Sequence, residues 1–162
     1  MIFRTARFAM LALAAAVCLG PSLPAEGHLK VEAGVAPLRL VRGQEGRVVL
    51  KVVVPEGIVV STLPSFTIEL EPSEDLLFPK DFFTASDLNV ETLEIRGRTY
   101  LSLKKPVEVP FTVSPKAKRG VHVLEGKIKY FACSLGEGWC LKSSARFRAT
   151  FSTRLASPGA RP

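Results

Sequence analysis

Apolar and polar positions alternate with a period of two along much of the chain. Val48, Leu50, Val52 and Val54 alternate with Val49, Lys51 and Val53, and Phe66, Ile68 and Leu70 with Thr67, Glu69 and Glu71. The same rhythm returns at Val107, Val109, Phe111 and Val113, and again at Ala145, Phe147, Ala149 and Phe151. Such alternation sends one face of a strand to a core and the other to water. Leu29–Ala33, Leu38–Val41, Thr99–Leu103 and Val121–Phe131 are further strand candidates. Turn chemistry separates them: Arg42-Gly43-Gln44, Pro55-Glu56-Gly57, Glu71-Pro72-Ser73, Arg96-Gly97-Arg98 and the stretch from Ser114-Pro115 to Gly120. Sustained helical periodicity is missing after the N-terminal segment. Roughly seven to nine short strands predict an all-β chain, a single-domain immunoglobulin-like β-sandwich, with a closed barrel as the alternative. Pro110 inside its run marks an edge strand or a bulge, because proline cannot donate to the ladder.

The stretch from Pro72 to Val90 breaks the rhythm. Leu76, Leu77, Phe78, Phe82, Phe83 and Leu88 stand among acids and Lys80 with no clean period. It reads as a long aromatic loop, either a crossover whose phenylalanines plug the end of the sandwich or a cover over a site.

The N-terminus carries Arg4 and Arg7, then an apolar run from Phe8 to Leu19, then Gly20, Pro21, Ser22 and Pro24. This is the layout of a secretory signal peptide over residues 1–25, and the run is too short for a membrane span. A lipidated Cys18 fits less well, because branched Val17 precedes it. The expected partition is a signal peptide at 1–25, the sandwich domain at 26–156 and a disordered tail at 157–162. The expected location is periplasmic or otherwise extracytoplasmic, where disulfides persist. With 22 Lys and Arg against 15 Asp and Glu, the formal charge is +7. The cations are scattered, and the cluster Lys116, Lys118 and Arg119 lies in a turn-forming stretch. Nothing here points to nucleic acid or stable membrane insertion.

Cys133 and Cys140 bracket the loop Ser-Leu-Gly-Glu-Gly-Trp, and Cys18 is the only other cysteine. If Tyr130–Ala132 and Lys142–Phe151 pair as antiparallel strands, the loop brings the two sulfurs together, and Gly136 and Gly138 supply turn freedom. A bridge there is either a local staple or a redox switch. Closing so short a loop restrains the unfolded chain by only about 2.5 kcal/mol, and exposure at a loop tip admits an attacking thiolate. Tyr130 and Trp139 flank the pair, either limiting access or packing on the sandwich end. Glu137 opposes Lys129 and Lys142 in the local charge. A metal centre is disfavoured: His28 and His122 lack ligand spacing to the cysteines, and His122, between Val121 and Val123, reads as an outer-face strand residue. No cofactor signature and no hydrolytic motif stand out. Glu69, Glu71, Glu74 and Asp75 read as a solvated acidic patch.

The C-terminal third resembles the N-terminal periplasmic domain of the thiol-disulfide interchange protein DsbD. The resemblance rests on Val107–Val113, on Lys118-Arg119-Gly120-Val121-His122, and on Gly126-Lys127-Ile128-Lys129-Tyr130-Phe131-Ala132-Cys133 followed by Cys140. It implies an immunoglobulin-like domain that passes reducing equivalents from a thioredoxin-like protein, or a membrane-bound thiol reductant, to an oxidised exported protein. Cys140 would form the mixed disulfide with the thioredoxin-like partner and Cys133 would resolve it. A cap loop bearing an aromatic, with Phe82 and Phe83 in the region Phe82–Leu88 as the counterpart, would shield the pair. Six residues separate the cysteines here instead of five, and Leu141-Lys142 stands where a proline often follows. The alternative is a non-catalytic immunoglobulin-like binding or assembly module with a structural disulfide.

Overall fold

A computed structural model describes residues 27–64 and 66–154; the expected signal peptide at 1–25 and the expected tail at 157–162 both lie outside this range. Twelve strands follow in chain order: β1 (Lys30–Ala36), β2 (Arg39–Val41), β3 (Glu45–Val53), β4 (Ile58–Ser61), β5 (Thr67–Leu70), β6 (Leu76–Leu77), β7 (Phe82–Thr84), β8 (Thr92–Ile95), β9 (Arg98–Leu101), β10 (Val107–Val113), β11 (Gly120–Ser134) and β12 (Cys140–Arg154). They form two sheets. One runs β1-β3-β10-β6; the other runs β2-β12-β11-β4-β9-β8, with β5 beside β11 and β7 beside β5. The chain is an immunoglobulin-like β-sandwich.

The alternating runs become the two inner faces. Val48, Leu50 and Val52 from β3, with Val107, Val109, Phe111 and Val113 from β10, meet Leu124, Ile128, Tyr130, Phe147, Ala149 and Phe151 from the β11–β12 hairpin. Period-two pleating allows this only in one register, since a slip by one residue would turn every apolar side chain outward. Phe111 is 2% exposed, and its ring stands 5.6 Å from Phe151 and 6.3 Å from Phe78. Gly46 sits beneath that ring, where an added Cβ would come within 2.7 Å of it.

Pro110 marks an edge. Val113 bonds Gln44 through its N–H and Gly43 through its C=O, both at 2.9 Å. Alternation therefore turns the Pro110 nitrogen away from β3, onto a flank where β6 pairs only Thr112 and Val113. The missing donor costs the ladder nothing there.

The aromatic stretch from Pro72 to Val90 behaves as a plug. Phe83 is 3% exposed in the main core, Phe78 packs against that core, and Phe82 is 53% exposed on β7. The following turn is held by Asp87, whose carboxylate accepts from the Thr84 N–H at 2.9 Å and the Thr84 hydroxyl at 2.8 Å and pairs with Lys80. The Lys80 ammonium, with help from Thr84, pulls the Asp87 carboxyl from 3.8 down to about 2. A depressed carboxyl contributes stability that is complete above its ordinary range and disappears as pH falls through the folded value. Amide protection at Thr84 and Leu88 should therefore be full above the ordinary value of 3.8, decline as the pH drops below it and be lost as the pH falls past about 2. An Asp87→Asn variant should show weak protection throughout; hydrogen exchange across this range checks both.

Two expectations are corrected where β11 begins, one at His122 on the strand and one at Asp75, which contacts it. His122 faces inward, not outward, and it is Val121 and Val123 that are exposed. The ring lies 5.1 Å from Phe151 in a stacked arrangement. Its Nδ1 meets Asp75 at 3.1 Å, and its Nε2 meets the Lys118 carbonyl and the Thr153 hydroxyl, each at 2.8 Å. A polar ring is tolerated there because both nitrogens have partners. Asp75 accordingly belongs to no solvated patch: it also accepts from the Lys118 N–H at 3.0 Å and so ties the chain before β6 to the start of β11.

Candidate functional site: the disulfide on the outer face of the larger sheet

The β11–β12 hairpin pairs without interruption from Gly120↔Thr153 to Cys133↔Cys140. At its end the Ser134 N–H donates to the Trp139 carbonyl at 2.9 Å. The neighbouring pair, Cys133 with Cys140, thus occupies a non-hydrogen-bonded position, where opposed residues approach most closely. Their Cα atoms are 4.0 Å apart and the sulfurs are bonded at 2.06 Å. The loop beyond is fastened by Gly138 N–H to Ser134 O at 3.1 Å, by Glu137 N–H to the Ser134 hydroxyl at 3.1 Å and by Leu135 N–H to Gly57 O at 2.9 Å. Gly138 has φ of 75°, a left-handed conformation that side chains disfavour. The hairpin is therefore closed by backbone bonds as well as by the bridge.

Parity decides which way the sulfurs point. Even-numbered residues of β11 from His122 to Ala132 face the core; Cys133 is odd and faces out. Its register partner on β4 is Val59, while the adjacent pair, Ala132 with Val60, is in the main core. Cys133 is nonetheless only 5% exposed. A second apolar cluster on this outer face covers it, built from Val59 and Tyr100 with Leu93, Ile95 and Leu135 against them. The β8–β9 hairpin supplies Tyr100, Leu93 and Ile95. Cys140, across the ladder, is exposed. The bridge is thus asymmetric, with one sulfur-bearing residue under a hydrophobic cover and the other open to solvent.

The expected supporting residues fall elsewhere. Tyr130 is on the inner face, 1% exposed, and its hydroxyl accepts from the Leu29 N–H at 3.1 Å. It pins the chain leading into β1 and does not screen the sulfurs. Close packing explains the Gly27 beside it, where a Cβ would come within 2.5 Å of the Tyr130 hydroxyl and 2.3 Å of the Ser144 carbonyl. Trp139 is half-buried against the main core, donates its indole N–H to Glu137 and stands 5.2 Å from the His28 ring. Phe82 and Phe83 lie on β7, whose partner β5 meets β11 at Gly126–Lys129, short of the cysteines. The covering aromatic is Tyr100. Its sequence signal was only that of a strand residue, and nothing local to it announces a contact 33 positions downstream.

Basic side chains extend from the sulfurs along the same outer face. Lys142 stands opposite Phe131, Lys129 opposite Ser144, Lys127 opposite Arg146 and Glu125 opposite Arg148. Glu69 reaches over from β5 to Lys129 and, at 3.1 Å, to Lys127; the Lys129 ammonium holds its carboxyl below the usual carboxylate range. Arg148 pairs with Glu125. Among the described residues no three His, Cys, Asp or Glu side chains gather as a metal centre requires, and no helix is long and apolar enough to cross a membrane.

No family model matches the chain, and no curated protein matches it. Solved structures similar to it include a cohesin module of a Clostridium perfringens family 33 glycoside hydrolase, at 13% identity and a TM-score of 0.45 over 81% of this chain and 98% of that one. BcpA, the major pilin subunit of Bacillus cereus, is similar at 8% identity and a TM-score of 0.40, over 77% of this chain and 39% of that one. A type I cohesin of ScaB from Pseudobacteroides cellulosolvens is similar at 10% identity and a TM-score of 0.37, over 82% and 97%. Likenesses at this level carry no statement about what the chain binds or does.

Proposed function

We propose that this chain is an extracytoplasmic thiol-disulfide exchange domain with Cys140 as the attacked sulfur. The observation that carries the reading is the asymmetric bridge, exposed at Cys140 and covered at Cys133, across a hairpin that hydrogen bonds already close. A staple placed there adds little, because the unfolded loop it closes is short, about 2.5 kcal/mol of restraint. The resemblance of Gly126–Cys133 and Cys140 to the N-terminal domain of DsbD points the same way. In the reaction, a donor thiolate attacks Sγ of Cys140. A mixed disulfide forms, the Cys133–Cys140 bond breaks, and the electron pair leaves on Sγ of Cys133, which takes a proton. A second donor thiol then attacks the mixed disulfide and releases Cys140 as a thiol. The donor dithiol ends oxidised and the pair reduced; the reverse sequence passes both electrons to an oxidised exported protein. A thioredoxin-like protein or a membrane-bound thiol reductant fits the donor role.

The second reading, an immunoglobulin-like binding or assembly module with a structural bridge, is favoured by one observation: Cys133 is packed with Val59 and Tyr100 as a core residue would be. Redox potential separates the two. Equilibration with glutathione buffers, followed by alkylation of free thiols, should place an exchange pair at or above about −270 mV. A value below about −300 mV is that of a structural bridge and would overturn the exchange reading.

A further inference from the structure

We infer that the outer face of the β11–β12 hairpin is an electrostatic docking surface for an acidic, thiol-bearing protein. This inference rests on the exchange reading and names the chemistry of the partner. Lys127, Lys129, Lys142, Arg146 and Arg148 share that face with a single carboxylate of the two strands, Glu125, while the connecting loop carries Glu137, whose carboxylate accepts from the Trp139 indole. Glu69 from β5 engages Lys127 and Lys129, and Glu125 engages Arg148. Lys142 and Arg146 have no ion-pair partner among the described residues, and both are exposed. Lys142 is two residues from Cys140 on the same side of the strand, about 7 Å along it, and the basic stripe from Lys142 to Arg148 runs roughly 20 Å.

The stripe begins at the exposed half of the bridge. An incoming protein that lays carboxylates on Lys142 and Arg146 brings its own thiolate over Cys140, on the side away from the covered Cys133. Phe131, half-buried opposite Lys142, offers an apolar contact between the charges and the sulfur. Charge complementarity of this kind acts on encounter, raises association rates by about 10- to 1000-fold and fades with salt. The smaller sheet lacks such a stripe: on β3, Arg47 is paired with Glu108 of β10 and Lys51 lies opposite Glu32 of β1.

The test uses three cysteine peptides of equal length, flanked by glutamates, serines or lysines, with dithiothreitol as a fourth reductant. Rates of reduction of the Cys133–Cys140 bridge are measured by stopped flow at 20 mM and 500 mM salt and expressed per thiolate. The expected order at low salt is acidic, then neutral, then basic, with about tenfold between acidic and neutral and the gap closing at high salt. Lys142→Glu/Arg146→Glu should invert the order. Lys51→Glu/Lys116→Glu, the same charge change away from the stripe, should preserve it. Fast reduction by all three peptides at equal rates, or an order indifferent to Lys142→Glu/Arg146→Glu, overturns the docking surface and leaves the exchange reading standing. Slow reduction by every thiol, dithiothreitol included, overturns both.

Discussion

Phe111→Ala is expected to lower the unfolding free energy by about 3–5 kcal/mol, the range for emptying a buried aromatic site. The ring is 2% exposed and holds three elements at once: Gly46 of β3 beneath it, Phe151 of β12 across the sandwich and Phe78 from the plugging segment. Collapse cannot refill the space, because Gly46 brings no side chain and both neighbouring rings belong to other strands or loops. Urea denaturation followed by circular dichroism should show the midpoint fall with little change in slope. Phe82→Ala, at a ring that is 53% exposed, should move the midpoint within about 0.5 kcal/mol. Equal losses at the two positions would mean that the core is not where the structure puts it.

The second large effect is chemical. With Cys133→Ser, the remaining Cys140 is exposed, and its thiolate should displace thionitrobenzoate from a thioredoxin-like protein that keeps only its attacking cysteine, activated as the thionitrobenzoate mixed disulfide. The Cys140–partner disulfide should accumulate because neither protein retains a second thiol to resolve it. With Cys140→Ser, the remaining Cys133 is covered by Val59 and Tyr100 and should be alkylated by iodoacetamide at least about tenfold more slowly than Cys140 in the first variant. Adding Tyr100→Ala to Cys140→Ser should recover much of that difference. If the two single variants react alike, the asymmetry of the bridge has no chemical meaning. Accumulation of mixed disulfide on Cys133 in place of Cys140 would reverse the assigned roles.

How far the sequence carried the argument depends on the range of each signal. Val48-Leu50-Val52, Phe66-Ile68 and Ala145-Phe147-Ala149-Phe151 announced their inner faces through local alternation, and the structure buries all of them. The cysteine pair was equally legible, since a hairpin closes within eight residues. The short strands β4, β6, β7 and β8 were not, because two to four residues hold too little periodicity to read. His122 misled for a physical reason: alternation tells two faces apart but not which one is inside, and valines on both sides of a histidine invite the wrong choice. Only Asp75, Lys118 and Thr153, distant in sequence except for Lys118, make its burial tolerable. The cover over Cys133 failed to show for the same cause. Phe82 and Phe83 were the conspicuous aromatics near an irregular segment, yet pairing of β4 with both β11 and β9 brings Tyr100 to that place instead.

Tyr130 and Trp139 have a practical bearing on how the protein is handled. Contacts of Gly27, His28 and Leu29 with these two side chains bring the backbone into the sandwich beside the bridge, whereas Arg154 lies at the opposite end of β12, roughly 45–50 Å away. Any tag, dye or surface linkage attached just ahead of Gly27 therefore crowds an approaching partner. The same attachment made beyond Arg154 leaves the exposed Cys140 facing free solution, which is the orientation a sensor chip or affinity resin should use.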